Sequence, residues 1–160
     1  MDSDIVQIVE KCGPELKATD CSIKIVGALY LFREDDKSLL LQLRDVKPNL
    51  RHAGLWVPPG GHSESDETVG ECTRREFYEE TNYFCEQMNW VSGLEIKNPQ
   101  WPTFLLGISW AYYDEIQPIK CREGQALKFV NRHEAKSLPI PTFVYYVWDM
   151  ITKNYNFKTK

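Results

Sequence analysis

One stretch of the sequence, residues 61–83, constrains the fold more than any other. It reads GHSESDETVGECTRREFYEETNY, with Gly61 at its start and Glu67 and Arg75 at fixed spacings behind it. The pattern predicts a helix over residues 67–81. Because a helix turns by about 100° per residue, the carboxylates that follow Arg75 all point to one side of this helix. These carboxylates are Glu76, Glu79 and Glu80.

Three neighbouring carboxylates on one helix face repel one another. Two like charges about 6 Å apart, at an effective dielectric constant near 20, repel by roughly 3 kcal/mol. The trio would therefore weaken the helix or keep one carboxyl protonated. A hard divalent cation removes this cost, and ligands that are all oxygen atoms favour Mg2+ or Mn2+ over zinc. The cluster thus predicts a magnesium or manganese site.

A solvated acidic helix face is the alternative interpretation of the same cluster. Val69, Cys72 and Thr73 project to the same side of the predicted helix as the carboxylates. The acidic face therefore continues an apolar-to-small stripe instead of opposing it. This placement favours a functional site over a solvated surface.

Two prolines and two glycines lie immediately before the helix, in residues 57–62. The prolines stiffen the chain and the glycines permit unusual backbone angles, so we expect a turn here. Such a turn either directs carbonyl groups at a metal ion and lets phosphate approach the backbone, or simply connects a strand to the helix.

The stretch 61–83 resembles the signature box of the Nudix family, the MutT-like pyrophosphohydrolases of nucleoside diphosphate derivatives. The resemblance implies an α/β fold, a single-domain α/β/α sandwich with a mixed sheet. It also implies that the carbonyl of Gly61 and the carboxylates of Glu76, Glu79 and Glu80 hold the metal. Arg75 would orient the glutamates, and it is also placed to form an ordinary helix pair with Glu79.

One position departs from the family pattern, which usually has glycine where this chain has Asn82. Glycine there suits the left-handed residue that closes a helix, and asparagine is the next best tolerated residue in that conformation. We therefore expect the fold to be preserved, and no metal ligand is lost.

Composition limits the remaining classes of function. A chain of 160 residues with 42% hydrophobic content can bury the core of one domain over residues 1–160. The net charge of -4 argues against a nucleic-acid surface, and no run of eighteen apolar residues predicts a membrane span. Five cysteines without CxxC spacing predict free thiols and a cytoplasmic location.

Hydrophobic periodicity predicts the remaining elements of the fold. Residues 1–20 are expected to be an N-terminal helical extension, with a short helix over 4–11, and a closing helix is expected over 142–155. Strands are expected between them, with a turn at 99–102. These strands are predicted at 22–32, 38–44, 55–57, 86–94, 103–114 and 127–131.

Substrate contacts are expected from residues outside the box. Arginines in or near the 45–54 loop can donate charge-assisted hydrogen bonds to phosphate oxygens, and aromatic rings near the box or a strand edge can stack on a base or sugar. The candidates are Arg44, Arg51, Trp56, Trp101 and Phe104. Solvated loop cations and core aromatics are the alternatives. By resemblance, Glu123 is a further metal ligand or helps to activate water, the alternative being a solvated loop acid.

The resemblance implies metal-dependent hydrolysis of the diphosphate linkage of a small nucleoside diphosphate derivative. Residues 25–134 look like small Nudix hydrolases that act on nucleoside triphosphates or nucleotide sugars, and these residues do not distinguish the two. Glu79, Glu80 and Glu123 are the candidates for the general base. The competing hypothesis is a non-catalytic Nudix-fold module for nucleotide binding or protein interaction. A homodimer is left open.

Overall fold

The sheet is built around a pair of parallel strands. The structure, a computed structural model, describes residues 4–64 and 66–154. In it β2 (Lys24–Phe32) pairs in parallel with β7 (Trp101–Tyr112) along its whole length. Most residues of both strands are buried, as expected for strands that are covered on both faces.

Antiparallel strands extend this pair into a mixed sheet. Among the described residues, the order across the sheet is β1-β6-β7-β2-β3-β4, with β5 paired to β2 and β8 paired to β3. All six predicted strands are confirmed, with shifted ends. The strands besides β2 and β7 are β1 (Ile5–Val9), β3 (Leu39–Leu43), β4 (Trp56–Val57), β5 (Gly60–His62), β6 (Asn89–Asn98) and β8 (Ala126–Val130). The turn predicted at 99–102 is shorter, since Trp101 already belongs to β7.

Two helices cover opposite faces of the sheet, α1 (Val69–Thr81) and α2 (Thr142–Asn154). Leu31 of β2 packs in one core cluster with Phe77 of α1. The next residue, Phe32, packs on the other face with Trp148 of α2. The α/β/α sandwich with a mixed sheet is therefore confirmed. Both predicted helices are present, and residue 155 lies outside the described residues.

Capping residues explain why α1 begins and ends where it does. Thr68 Oγ1 accepts a hydrogen bond from Glu71 N at 3.1 Å, and Thr68 N donates to Glu71 Oε1 at 2.9 Å. This reciprocal pair is a capping box. At the other end Asn82 adopts the predicted left-handed conformation, with a φ of 67°.

The predicted N-terminal helical extension over residues 1–20 is wrong in the described part of that segment. Ile5–Val9 is a strand that pairs antiparallel with β6 at the sheet edge. Its isoleucines and valines are β-branched and favour strands, and β6 offers hydrogen-bond partners that a short isolated helix lacks. The described helical piece of this segment is one 3-10 turn, Ala18–Asp20. Residues 1–3 lie outside the described residues.

A row of glycines crosses four adjacent strands. Gly61 of β5 lies opposite Gly27 of β2, and Gly27 lies beside Gly107 of β7. Gly107 in turn lies opposite Gly93 of β6. We call these four residues the glycine row. Because none has a side chain, the row forms a groove across the face of the sheet.

Helix α1 lies in this groove. A Cβ atom on Gly27 would stand 2.4 Å from Thr73 Oγ1, and one on Gly107 would stand 2.3 Å from Val69 Cγ1. Val69 and Thr73 are one helical turn apart, so they belong to the same stripe of α1. The groove therefore fixes how closely the helix approaches the sheet.

The segment predicted as a turn, residues 57–62, contains a short strand instead. Gly60–His62 pairs antiparallel with β2. A Cβ on Gly60 would stand 2.4 Å from the carbonyl oxygen of Gly27. Glycine is therefore required here for close packing against β2, more than for turning the chain.

Replacing Gly107 by alanine tests the groove. The added methyl group would meet Val69, which is fully buried, and overpacking of this kind typically costs about 1–3 kcal/mol. We expect Gly107→Ala to lower the free energy of unfolding in urea by that amount.

Gly13→Ala is the matched control, because a Cβ on Gly13 meets no atom within 4 Å. Gly13→Ala should unfold at the same urea concentration as the wild type, or at a slightly higher one. Equal unfolding midpoints for Gly107→Ala and Gly13→Ala would show that α1 does not depend on the groove.

Candidate active site

Arg75 connects the glutamates of the 61–83 stretch. Its Nη1 donates to Glu76 Oε1 at 3.0 Å and to Glu79 Oε2 at 3.2 Å. Its Nη2 donates to Glu67 Oε1 at 2.9 Å and to the carbonyl of His62 at 3.1 Å. The hydrogen bonds to Glu67, with those to Glu76, raise the pKa of Arg75. The guanidinium therefore stays charged and fixes the direction in which each carboxylate points.

Glu80 is outside this network. Its side chain is 3% exposed, and neither carboxylate oxygen has a hydrogen-bond partner in the described structure. Burial, and then the neighbouring Glu123 and Glu76, raise the pKa of Glu80 to about 10. Unless a cation is bound, this carboxyl group keeps its proton at neutral pH.

The carboxylate of Glu76 occupies the place where Gly61 lacks a side chain. A Cβ on Gly61 would stand 2.3 Å from Glu76 Cδ and from Glu76 Oε2. Both residues line a cleft, described below. The carbonyl of Gly61 accepts a hydrogen bond from Cys72 Sγ at 3.2 Å.

Glu123 lies in a segment that is tied to β3 and to the end of α1. Gln42 Nε2 donates to the carbonyl of Glu123 at 3.1 Å, and Arg122 N donates to the carbonyl of Glu80 at 2.9 Å. The Arg122 guanidinium also donates to Asn82 Oδ1 at 2.5 Å. Asn82 therefore closes the helix and also holds the segment that carries Glu123.

Gln42 is a residue that the sequence pattern did not identify. It is 1% exposed in an otherwise apolar strand. A buried amide needs partners, and Gln42 meets this need beside Glu80 and Glu123. The sequence signal that could have identified Gln42 is its position as a polar residue in the middle of an apolar run.

A cleft of about 930 Å³ brings most of the predicted site residues together. It lies between the sheet and the start of α2, where Phe143 forms part of its wall. Trp56 is not among its lining residues, since it packs against the core cluster that contains α2. The predicted site residues that line the cleft are Gly61, Glu76, Glu123, Arg44, Arg51, Trp101 and Phe104.

Arg51 covers the aromatic rings that were expected to stack on a substrate. Its guanidinium carbon lies 4.5 Å from the ring centre of Phe104 and 5.7 Å from that of Trp101. Its Nη2 donates to the carbonyl of Pro102, and Arg44 Nε donates to the carbonyl of Arg51 at 3.0 Å. Burial lowers the pKa of Arg51. The two arginines predicted to bind substrate, Arg44 and Arg51, are therefore hydrogen-bonded to each other and form one part of the cleft wall.

Comparison with known proteins assigns this arrangement to a family. The family model of the NUDIX domain matches residues 23–146. The chain belongs to the Nudix family. Over 65 residues, 41% of the chain, it is 37% identical to the m7GpppN-mRNA hydrolase NUDT17 of Xenopus laevis. That match covers 22% of the Xenopus protein, so the chain spans about a fifth of the length of this curated relative.

Two solved structures show the same fold. A MutT NUDIX hydrolase from Burkholderia pseudomallei is similar with a TM-score of 0.69 and 18% identity, over 81% of this chain and 98% of that one. The NUDIX domain of Shewanella oneidensis NrtR, complexed with ADP ribose, is similar with a TM-score of 0.69 and 16% identity, over 84% and 90%. At these identities the similarity establishes the fold alone.

The carboxylates of the Nudix box, residues 61–83, and that of Glu123 are oxygen donors of the kind that a hard divalent cation binds. Among residues 4–64 and 66–154, no three His, Cys, Asp or Glu side chains already converge as metal ligands, since Arg75 holds Glu76 and Glu79. The two oxygens of Glu80 lack partners and lie near Glu76 and Glu123. A buried carboxylate without a partner is costly, and a hard cation with oxygen ligands offsets that cost. The residues therefore fit a divalent metal ion.

The Nudix chain has no described helix that is long and apolar enough to cross a membrane.

Glu80→Gln should remove a pH dependence of stability that the metal-free protein has. The folded-state pKa of Glu80 is raised to about 10, whereas an unfolded glutamate titrates near about 4.3. The resulting stabilisation is complete below the unfolded pKa and is lost as the pH rises towards the folded pKa. In EDTA, the free energy of unfolding of the wild type should therefore fall from about pH 5 to about pH 8, by up to about 1.4 kcal/mol per unit.

Urea unfolding of both proteins across this pH range measures the difference. Glu86→Gln, which changes an exposed acid beyond the Nudix box, should follow the wild type. If Glu80→Gln and the wild type lose stability in parallel, Glu80 does not hold a proton in the folded state.

Proposed function

We propose that this chain is a metal-dependent pyrophosphohydrolase that cleaves the diphosphate linkage of a nucleoside diphosphate derivative. The observation that carries the proposal is Glu80, a buried carboxylate without a hydrogen-bond partner, next to Glu76 and Glu123. Both neighbours line a cleft of about 930 Å³, a volume in the range of small-molecule sites. A carboxylate cluster beside such a cleft suits a cation that meets phosphate oxygens.

The metal would be held by Glu76, Glu80 and Glu123, with Glu79 and the Gly61 carbonyl completing the set. Mg2+ is the favoured ion and Mn2+ the alternative, because all these ligands are oxygen atoms. When bound, such an ion polarises phosphoryl oxygens and lowers the pKa of a coordinated water.

The remaining steps belong to side chains of the protein. Arg75 holds Glu76 and Glu79 in fixed directions. Glu79 is 57% exposed and Glu123 is exposed, so either can accept the proton of the attacking water, whereas Glu80 is closed to solvent. Arg44 and Arg51 both line the cleft wall; Arg44 is placed to bind phosphate oxygens as the water attacks in line, and Arg51 to bind the part of the substrate beyond the diphosphate.

A nucleoside triphosphate or a nucleotide sugar is the substrate class that we favour. The cleft combines arginines with the rings of Trp101 and Phe104, over which Arg51 lies, a set of charged and flat groups suited to phosphates joined to a base or sugar. The solved NUDIX domain complexed with ADP ribose and the m7GpppN-mRNA hydrolase support a diphosphate-containing substrate, since ADP ribose and the m7GpppN group both contain a diphosphate linkage. Five free cysteines favour a reducing compartment, and we place the chain in the cytoplasm.

A nucleotide-binding module without turnover is the competing proposal. Such a module would bind the same ligands but has no physical need for mutually repelling carboxylates. Release of phosphate or pyrophosphate in the presence of Mg2+ separates the two proposals.

Substituting the glutamates tests catalysis directly. We expect Glu79→Gln and Glu80→Gln each to lower kcat by about 100-fold or more, the size of a general-base or metal-ligand contribution. The assay follows Mg2+-dependent hydrolysis of nucleoside triphosphates, their oxidised forms, nucleotide sugars and dinucleoside polyphosphates.

Glu86→Gln is the matched control and should retain wild-type kcat. Unfolding curves establish that each variant is folded. Near wild-type turnover by both box variants would refute the proposed catalytic role, and binding of the panel without hydrolysis by the wild type would favour the binding module.

A further inference from the structure

A buried acid lies at the start of the N-terminal strand. The side chain of Asp4 is 2% exposed. Its Oδ1 accepts a hydrogen bond from Asn98 Nδ2 at 2.8 Å, and its Oδ2 lies 3.4 Å from His52 Nε2. Asp4 therefore joins the end of β6 to the loop at 45–54.

His52 is the point at which this contact reaches the cleft. Its ring lies 5.2 Å from the ring of Phe143, and both residues line the cleft. Arg51, the preceding residue, lies over Phe104 in the same wall. Burial lowers the pKa of Arg51, and the negative charge of Asp4 acts in the opposite direction.

The loop needs such a contact because parts of its backbone are strained. Asn49 and His52 have positive φ values of 62° and 59°. A left-handed conformation costs a residue with a side chain about 1–2 kcal/mol, and strain of this kind persists only where the surroundings hold it. The contact with Asp4 stabilises His52 in this left-handed conformation.

We propose that Asp4 is a positioning residue for the substrate-binding end of the cleft. It fixes His52 and, through the loop, the guanidinium of Arg51. This inference rests on the proposed function and adds a residue of the N-terminal strand to the substrate site.

Strand register places this contact away from the carboxylates. Phe104 pairs with Lys24, whereas Gly61 pairs with Gly27 three residues further along β2. Three residues of a strand span about 10 Å. Arg51 and His52 therefore meet the part of a substrate beyond the diphosphate, so a change at Asp4 acts on substrate binding more than on the chemical step.

Asp4→Asn is the informative variant, because it keeps the shape of the side chain and removes its charge. We expect KM to rise about tenfold, comparable to the loss of one charge-assisted hydrogen bond, while kcat stays within about twofold. Binding of the non-hydrolysable probe α,β-methylene-ADP, measured by calorimetry without turnover, should weaken by a similar factor. Glu10→Gln, an exposed acid at the end of the same strand, should leave both values unchanged.

Two further measurements separate positioning from a general loss of stability. Proton NMR titration of the His52 ring, assigned by the signal lost in His52→Gln, should give a lower pKa in Asp4→Asn, because the acid opposite an imidazole favours its charged form. In a double-mutant cycle with His52→Gln, the effects on probe binding should be less than additive.

The outcomes distinguish this inference from the proposed function. If the wild type binds the probe without hydrolysing any nucleotide, the proposed hydrolase fails, while weaker probe binding by Asp4→Asn still supports the positioning role. If the wild type hydrolyses a nucleotide and Asp4→Asn has an unchanged KM, probe affinity and His52 titration, the positioning role is overturned. Failure of the wild type to bind the probe also overturns it.

Discussion

The close contact between α1 and the glycine row is the constraint on which the rest of the structure depends. Val69, Thr73 and Glu76 lie on one stripe of the helix, and each occupies a place where a glycine lacks a Cβ. The first two contacts set the depth of the helix against the sheet. The third, at Gly61, opens to the cleft, so the same packing that holds the helix also delivers a carboxylate to the substrate side.

This packing has an electrostatic consequence. Because α1 packs so closely on the sheet, its acidic face lies in low-dielectric surroundings. The glutamates of this face differ in whether a positively charged side chain contacts them. Arg75 donates hydrogen bonds to Glu67, Glu76 and Glu79, whereas Glu80 keeps a pKa of about 10 because of its burial. The burial of Glu80 therefore destabilises the metal-free protein. Such a cost is expected when a carboxyl group is placed to bind a cation.

Local patterns predicted the parts of the fold that are decided locally. The box, its helix and the left-handed Asn82 depend on spacing, capping and backbone preference within a few residues. The N-terminal strand depends on a distant segment instead. A short β-branched segment forms a strand only if a free sheet edge is available, and here β6 provides that edge. Asp4 and Asn98, whose hydrogen bond closes this end of the sheet, are 94 residues apart. The glycine row likewise requires the register of four strands, and Trp56 reaches the core because of the face on which its strand packs.

The two ends of the cleft also differ in whether local or long-range contacts form them. Its carboxylate end comes mainly from one contiguous segment, so its chemistry can be inferred from sequence. Its other end is lined by the loop at 45–54 and the start of β7, and Asp4, which contacts this loop, lies before residue 23, where the match to the NUDIX family model begins. If Asp4 has the proposed positioning role, substrate binding can change by a substitution that leaves the carboxylates of the Nudix box in place.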